Sequence, residues 1–300
     1  MKQRTLSREY SFEGKGLHTG CYSHVTVCPA PENTGIRFIR TDIGEDAWVD
    51  ALAENVSSTK RSTTISQGEA SVRTIEHILS ALTGLGIDNA IVRIDAGEMP
   101  ILDGSARMYV EQMGKDPLVE QKAERKWIEL KAPIEVRNEK KGAYVKLIPS
   151  DSPKYSVTID FDSRVLGVQT AVWDDSKDYS KEVAPCRTFC FFHEIKKLLL
   201  LGMVKGGDLE NAIVIVEKPV RKCMLRHTAR LLRQPYVTVT PEGYLSNLEL
   251  RFPDECGRHK LLDIMGDLRL SGGFLKAEIV AYKTGHRLNT VAAREIRKTL

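Results

Sequence analysis

Apolar residues along the first 120 positions follow two spacings, first that of strands and then that of a helix. β-branched and aromatic residues concentrate in two short segments separated by prolines, which predicts strands at 22–28 and 35–40. Farther along, apolar side chains recur at the i, i+3, i+4 and i+7 positions of an amphipathic helix, namely Ile75, Ile78, Leu79 and Leu82. This spacing predicts a helix over 74–83, followed by a strand at 89–94.

The second half of the chain repeats the order of strands followed by helices. Strands are predicted first, at 127–130, 143–148 and 155–160. Three helices are predicted after them, at 189–201, 259–270 and 286–298. Two further strands lie between those helices, at 212–216 and 276–282. Strands that precede helices in each half favour an α+β fold over a doubly wound parallel sheet.

A charged stretch with few apolar residues, 115–125, divides the 300 residues into two parts. Domains commonly contain about 100–200 residues, so this length agrees with two of them. We therefore predict one α+β domain over 1–120 and a second over 121–300. The polar segment at about 41–70, with its Ser and Thr runs, is expected to be a loop or a small insert in the first domain.

Composition and charge exclude several classes of protein. A hydrophobic fraction of 42% and a charged fraction of 28% are those of an ordinary globular chain rather than a disordered one. The net charge of +4 is mild, and the densest basic cluster, 221–233, has almost no interleaved aromatic residues, so nothing demands nucleic-acid binding. No signal-peptide core and no membrane-length apolar run are present. We expect a soluble cytoplasmic protein with reduced cysteines and no stable membrane insertion.

Two predicted helices carry residues that a purely structural helix does not need. Glu76 lies at the edge of the apolar stripe of its helix, and His77 points nearly opposite that stripe. His259, Asp263 and Asp267 follow one another at i, i+4 and i+8 and share one helix face. Taken singly, each pattern is more commonly a solvated helix surface.

His286, at the start of the last predicted helix, is a third candidate, although a histidine there is commonly a cap or a surface residue. The combination carries more weight than its parts. Two histidines and one carboxylate with an open fourth position have the stoichiometry of a catalytic zinc site. A glutamate beside one of the ligands is suited to be the base of a metal-dependent hydrolase.

Seven sequence blocks resemble those of the UDP-3-O-acyl-N-acetylglucosamine deacetylases, zinc amidases of lipid A synthesis in Gram-negative bacteria. The blocks are GKGLHTG (14–20), TIEHILSALTGLGIDN (74–89), PILDGSA (100–106), CRTFCF (186–191), GGDLENAIV (206–214), RHKLLDIMGDL (258–268) and YKTGHRLN (282–289). They occur in the order of the family over nearly the whole chain. This ordered agreement outweighs the surface interpretation of each single motif.

The resemblance implies a role for each matching residue. Those that match the family's ligands of one Zn²⁺ per chain are His77, His259 and Asp263. Those that match its reacting groups are Glu76 as general base, His286 as general acid, Asp267 as the carboxylate supporting His286, and Thr188 as a hydroxyl that holds the oxyanion. Those that match substrate contacts are Lys260, Phe189 and, near the nucleotide, Phe161. Because such a donor set also suits Fe²⁺, the native metal stays open.

The resemblance further implies two similar domains, each a two-layer sandwich of a sheet and helices, with the active site between them. An insert at about 202–218 would form an apolar passage for an acyl chain. The expected reaction is hydrolysis of the N-acetyl group of UDP-3-O-(3-hydroxyacyl)-N-acetylglucosamine. This small molecule is the expected partner, and the chain is expected to be monomeric unless it continues into the dehydratase domain that some members carry.

The sequence departs from the family's usual pattern at a few positions, of which Ser163-Arg164 leaves the contacts to the nucleotide open. Cys190 also replaces a glycine of the family pattern, but neither departure touches the implied metal ligands. Two alternative functions remain at this point. One is a zinc amidohydrolase that acts on another N-acyl sugar or a peptide, and the other is a non-catalytic α+β binding module.

Overall fold

The computed structural model describes residues 1–195, 206, 210–231 and 235–300. Its strands in the first half are β1 (Lys2–Thr5), β2 (Tyr10–Lys15), β3 (Tyr22–Pro29), β4 (Ile36–Arg40), β5 (Trp48–Asp50), β6 (Val56–Ser58), β7 (Thr64–Gln67), β8 (Ala70–Arg73), β9 (Ala90–Ile94) and β10 (Val119–Glu124). Those in the second half are β11 (Trp127–Glu129), β12 (Ile134–Asn138), β13 (Ala143–Pro149), β14 (Lys154–Asp160), β15 (Val168–Asp174), β16 (Phe189–Phe191), β17 (Ile213–Ile215) and β18 (Phe274–Tyr282). The helices are α1 (Glu76–Leu85), α2 (Arg107–Met113), α3 (Tyr179–Glu182), α4 (Lys222–Leu231), α5 (Glu255–Arg269) and α6 (His286–Arg297).

The main sheets of the two halves have the same topology. The strand order is β2-β3-β9-β4-β5 in the first half and β12-β13-β18-β14-β15 in the second. In both sheets the central strand is antiparallel to one neighbour and parallel to the other, β4 or β14. A helix precedes each central strand and another follows it, α1 and α2 around β9 and α5 and α6 around β18. The predicted α+β fold with two similar halves is therefore confirmed.

Helices α1 and α5 lie between the two sheets and make the most extensive contact between any two described helices. Both are buried over most of their length, on polar as well as apolar positions. A single cluster of buried apolar side chains contains residues of both halves, including Leu79 and Leu82 of α1 and Ile264 and Leu268 of α5. Docking of the halves thus encloses the faces of α1 and α5 that an isolated domain would leave in water.

The predicted elements agree with the structure for most of the core strands and helices, but not at 189–191, within 41–70 or within 115–125. The helix predicted at 189–201 is wrong at its start, because 189–191 form β16, which pairs in parallel with β17. Residues 192–195 are helical as predicted, and 196–201 lie outside the described residues. The predicted polar insert at 41–70 contains strands, and β6, β7 and β8 form a small sheet. Of the predicted acyl-chain insert, 202–205 and 207–209 lie outside the described residues.

The predicted boundary between the halves also contains a strand. Within 115–125, β10 pairs antiparallel with β1 at the start of the chain. Its exposed, charged residues conceal it from a search for apolar alternation. The division into domains at 120 and 121 stays a prediction.

All six cysteines of the chain are free, in agreement with the expectation of reduced thiols. Among the described residues, no helix combines the length and the apolar character needed to cross a bilayer.

We expect Gly266→Ala to lower the free energy of unfolding by about 1–3 kcal/mol, because overpacking a close backbone contact forces the helices apart. A Cβ atom at Gly266 would lie 2.0 Å from the Glu76 carbonyl oxygen, which cannot move without shifting α1. Chemical denaturation measures this change. Gly97→Ala is the control, since its Cβ would lie 3.4 Å from the flexible end of the Arg40 side chain and 4.0 Å from the nearest backbone atom, the Ser71 carbonyl oxygen. Equal stability of the two variants would contradict this account of the α1–α5 contact.

Candidate metal and catalytic site

The start of α1, the middle of α5 and the start of α6 meet at one cavity of about 360 Å³. Nine of the ten residues predicted for the site line it: Glu76, His77, Phe161, Thr188, Phe189, His259, Lys260, Asp263 and His286. The tenth, Asp267, lies behind His286 and is hydrogen-bonded to it. Residues separated by up to 210 positions in the sequence are thus brought to one place by the docking of the two halves.

Three of these residues present candidate metal-ligating atoms to one point. The ligand atoms of His77, His259 and Asp263 all lie within 4.8 Å of one another. Asp263 Oδ1 is 3.4 Å from His259 Nε2 and 3.9 Å from His77 Nε2. That oxygen is buried and has no hydrogen-bond partner among the described residues, a costly state for a carboxylate. Two imidazoles and an unsatisfied carboxylate oxygen fit a divalent cation in both donor type and number.

The orientation of His259 is fixed by the backbone of the second half. Its Nδ1 lies 3.0 Å from the Cys186 carbonyl oxygen. Because a carbonyl only accepts, Nδ1 carries the proton and Nε2 keeps the lone pair that faces Asp263. Burial lowers the pKa of His259, and burial together with the neighbouring His259 lowers the pKa of His77 to about 3. Both imidazoles are therefore held neutral, which is the protonation state of a metal ligand.

Asp263 is held as a carboxylate at the centre of the cluster. Burial alone would raise its pKa, but the cationic Lys260 and His286 favour the anion and hold the pKa of Asp263 far below its usual range. Lys260 Nζ donates to Oδ2 at 2.7 Å, which occupies one carboxylate oxygen and leaves Oδ1 for another partner. Lys260 Nζ also lies 5.4 Å from the centre of the Phe189 ring. The lysine thus connects the ligand cluster to the aromatic wall of the cavity.

Glu76 lies beside the ligand cluster in a setting suited to proton transfer. The Thr63 backbone N–H donates to its Oε2 at 3.0 Å, and Oε1 is 3.9 Å from His286 Nε2. Burial raises the pKa of Glu76 to about 7, partly opposed by His286. A carboxylate with a pKa near neutrality accepts and returns protons more readily than an ordinary glutamate.

His286 is held as a cation by the carboxylates around it. Its Nδ1 donates to Asp267 Oδ2 at 2.9 Å, and that fixes Nε2 toward the cavity. Burial alone would lower its pKa, but Asp267 and Glu76 outweigh burial and raise the pKa of His286 to about 9. Asp267 is itself fully buried and accepts from the Thr63 hydroxyl at 2.5 Å and from Asn289 Nδ2 at 2.8 Å.

The interpretation of these helix faces as solvated surfaces is wrong. Glu76, His77, His259 and Asp263 are each at least 95% buried. Helical spacing correctly places them off the apolar stripe of their own helix. It cannot show that a second helix covers the polar face, because that contact is made across the two halves.

An aromatic wall closes the second-half side of the cavity. The ring of Phe161 contacts Phe189 and Phe191 at centroid distances of 5.6 and 5.7 Å, and Phe189 lies 6.3 Å from His259. Thr188 precedes this wall, and its backbone N–H donates to the Gly104 carbonyl at 2.8 Å. Thr188 and Phe161 are thus brought to the cavity, while their predicted contacts to the oxyanion and the nucleotide stay predictions.

Three supporting residues were not singled out from the sequence. Thr63 holds both Glu76 and Asp267, and Asn289 holds Asp267 one helical turn after His286. Asn289 lies within the block YKTGHRLN, so its position one turn from His286 was an available signal. Thr63 belongs to a polar run of serines and threonines, where nothing distinguishes it. Glu98 is the third: its buried carboxylate accepts from Thr74, two residues before Glu76, and from the backbone of His18 and Thr19.

Comparisons with known proteins agree with this site. The chain is 41% identical over 299 residues to the "Bifunctional enzyme LpxC/FabZ" of Porphyromonas gingivalis, covering all of this chain and 65% of that protein. It is 41% identical over 301 residues to the "UDP-3-O-acyl-N-acetylglucosamine deacetylase" of Saccharophagus degradans, covering 99% of this chain and 91% of that protein. The corresponding protein of Trichormus variabilis is 37% identical, with 99% and 98% covered. The chain therefore spans about two thirds of the length of the bifunctional relatives.

The family model of the UDP-3-O-acyl N-acetylglycosamine deacetylases (LpxC), which are metalloenzymes, matches residues 3–234 and 230–298. These matches include both halves of the fold and every residue of the candidate site. The chain belongs to the UDP-3-O-acyl N-acetylglycosamine deacetylase family.

Proposed function

We propose that this protein hydrolyses the N-acetyl group of UDP-3-O-(3-hydroxyacyl)-N-acetylglucosamine, releasing acetate and the free amino sugar in lipid A biosynthesis. The observation that carries the proposal is the buried Asp263 Oδ1, which has no hydrogen-bond partner among the described residues and faces His77 and His259 beside Glu76. Family membership supplies the substrate class. A nucleotide-sugar substrate also agrees with the cytoplasmic location expected from the sequence.

We propose Zn²⁺ as the ion that His77, His259 and Asp263 hold, one per chain. A bound zinc ion polarises a carbonyl and lowers the pKa of a water molecule toward neutrality. The neutral imidazoles and the ionised Asp263 are already in the protonation states that binding needs, so little proton release accompanies it. Fe²⁺ suits the same donors, and metal analysis distinguishes the two.

Glu76 and His286 divide the two proton transfers of amide hydrolysis between them. Glu76 takes a proton from the water molecule that attacks the acetamide carbonyl carbon, since its raised pKa makes it an effective acceptor near neutral pH. His286, kept protonated by Asp267, gives a proton to the departing amine nitrogen. Without that proton the amine is a poor leaving group. Thr188 and Lys260 line the cavity, and we assign to them the stabilisation of negative charge on the carbonyl oxygen.

The apolar wall beside the reacting groups suits an acylated substrate. Phe189 and Phe191 line the cavity, and the Phe189 ring lies next to His259. Such a wall has no role for a small polar sugar, and this favours the 3-O-acyl substrate over other N-acyl sugars. The assay is acetate release from the acylated UDP sugar compared with UDP-N-acetylglucosamine. Equal rates on both would reject the proposed substrate while retaining the amidase.

We expect His77→Ala to reduce bound zinc from about one ion per chain to a small fraction, because it removes one of three protein ligands. Metal analysis of purified protein measures this. His24→Ala, which removes an exposed histidine on β3, is the control and should keep its metal. Full zinc content in the His77 variant would contradict the ligand assignment.

Glu76→Gln is expected to keep the metal while lowering kcat by about 10²–10⁴-fold, since an amide cannot accept the proton. Steady-state kinetics and metal content are measured on the same preparation. The exposed Glu69→Gln serves as the control for a charge change in the first half. A variant with near-normal kcat would remove Glu76 from the role of base.

Asp267→Asn is expected to shift the basic limb of the kcat–pH profile to lower pH by about 1–3 units. The sign follows because Asp267 raises the pKa of His286, and only protonated His286 can act as the acid. As the pKa of His286 falls, activity is lost at a lower pH than in the unaltered enzyme. Asp151→Asn, at an exposed position, should leave the profile unchanged. If the Asp267→Asn variant binds metal normally and the basic limb of its kcat–pH profile is not shifted, Asp267 does not support His286 as the acid.

A further inference from the structure

The second half carries a concentration of positive charge that the catalytic site does not use. Between Glu217 and Glu242 the sequence has no acidic residue. Over 218–230 it has five basic ones, Lys218, Arg221, Lys222, Arg226 and Arg230. The whole chain has a net charge of +4, so the remainder sums to 4 − 5 = −1. These 13 residues therefore carry a net charge of +5, which is larger than the net charge of the whole chain.

Helix α4 displays these charges on one side. Leu225, Thr228 and Ala229 are buried against the protein. Lys222, Arg226 and Arg230 follow at i, i+4 and i+8 and form an exposed stripe on the other side of the helix. Lys218 and Arg221, just before the helix, are exposed as well. None of the ion pairs found among the described residues involves any of the five cations, so their charge is available to a partner.

Apolar side chains are exposed beside these cations. Met224 is 41% exposed, and Tyr236 is 49% exposed with its ring 5.9 Å from the Arg226 guanidinium carbon. Exposed Met and Tyr next to Lys and Arg are typical of surfaces that lie in a lipid headgroup region, where the charges meet phosphates and the apolar groups enter the acyl boundary. A nucleic acid could also bind the positive charges, but its phosphate backbone has no apolar region in which the Met224 side chain could be buried.

The basic helix is connected to the wall of the catalytic cavity. Leu225 belongs to a buried cluster with Val214 of β17, and Cys190 of β16 packs against that cluster. Cys190 also lines the cavity. Strands β16 and β17 form a two-stranded sheet. One side of this sheet faces the cavity and its aromatic wall, and the other side packs against α4.

We propose that α4 and its flanking residues Lys218, Arg221 and Tyr236 form a docking surface for a bilayer containing anionic phospholipids. The protein attaches peripherally, with the cations on the headgroup phosphates and no helix inserted across the bilayer. Attachment brings the apolar side of the cavity close to the phase in which an acyl chain is most soluble. That consequence rests on the proposed function, whereas the docking itself depends only on the charge and shape of α4.

Vesicle co-sedimentation tests the surface directly. The protein is mixed with vesicles of phosphatidylcholine alone or of phosphatidylcholine with phosphatidylglycerol, at low and at high salt. We expect binding only to the anionic vesicles and its loss at high salt. Arg226→Gln/Arg230→Gln should weaken binding roughly 30-fold, because each cation near an anionic surface contributes about a factor of five. The control Lys140→Gln/Lys141→Gln removes the same charge from an exposed turn of the second half and should bind as the unaltered protein does.

Acetate release from a dispersed, short-chain acylated UDP sugar is measured in parallel and should be equal in both double variants, since neither pair lies at the cavity. This separates the two proposals, because failure of the docking leaves turnover intact and failure of the enzyme function leaves vesicle binding intact. Equal binding to neutral and anionic vesicles, an equal loss in the control variant, or a preference for a mixed-sequence DNA or RNA oligonucleotide over the vesicles would overturn the docking surface.

Discussion

The close approach of α1 to α5 is the constraint on which the rest of the site depends. At Gly266 the two helices come so near that a Cβ atom would lie 2.0 Å from the Glu76 carbonyl oxygen. Only a glycine allows that distance, and it occurs between Asp263 and Asp267 on the helix that carries both. Because α1 begins at Glu76, the contact brings this glutamate and the neighbouring His77 directly against the carboxylates of α5. Each half alone contains only some of the candidate site residues.

The local elements could be predicted from the sequence because their periodicity is local. The spacing of Ile75, Ile78, Leu79 and Leu82 predicts α1 to within two residues at each end. The candidate site residues could be proposed only through the ordered family blocks, since each single motif is more common on surfaces, and nine of the ten line one cavity. What the sequence could not show is the contact that buries them, because burial of the polar face of α1 depends on a helix some 180 positions later. The aromatic strand β16 was missed for a similar reason: Phe189–Phe191 becomes a strand by pairing with β17.

The pKa values of the groups in the cavity result from burying acidic and basic side chains together. Without partners, burial would neutralise every ionisable group, raising carboxyl pKa values and lowering those of histidines. His77 and His259 follow this rule, and so does Glu76. Asp263 and His286 depart from it, Asp263 because Lys260 and His286 favour its anion, and His286 because Asp267 and Glu76 favour its cation. Two neutral histidines, one anionic aspartate, a glutamate with a pKa near neutrality and a cationic histidine thus result from one enclosed cluster.

The repeated topology of the halves explains why the two helices can carry different functions. Each central strand is preceded by a helix, α1 in the first half and α5 in the second, and the two occupy equivalent places in their sheets. Where these equivalent helices meet, the polar face of each one borders the same enclosed cavity. The residues on one face can differ from those on the other, because each helix has its own sequence. Here α1 contributes the proposed base and one candidate ligand, while α5 contributes two candidate ligands and Asp267, which is hydrogen-bonded to the proposed acid. Segments outside the repeat, β16, β17 and α4, then add the aromatic wall and the basic surface, which have no counterpart among the described elements of the first half.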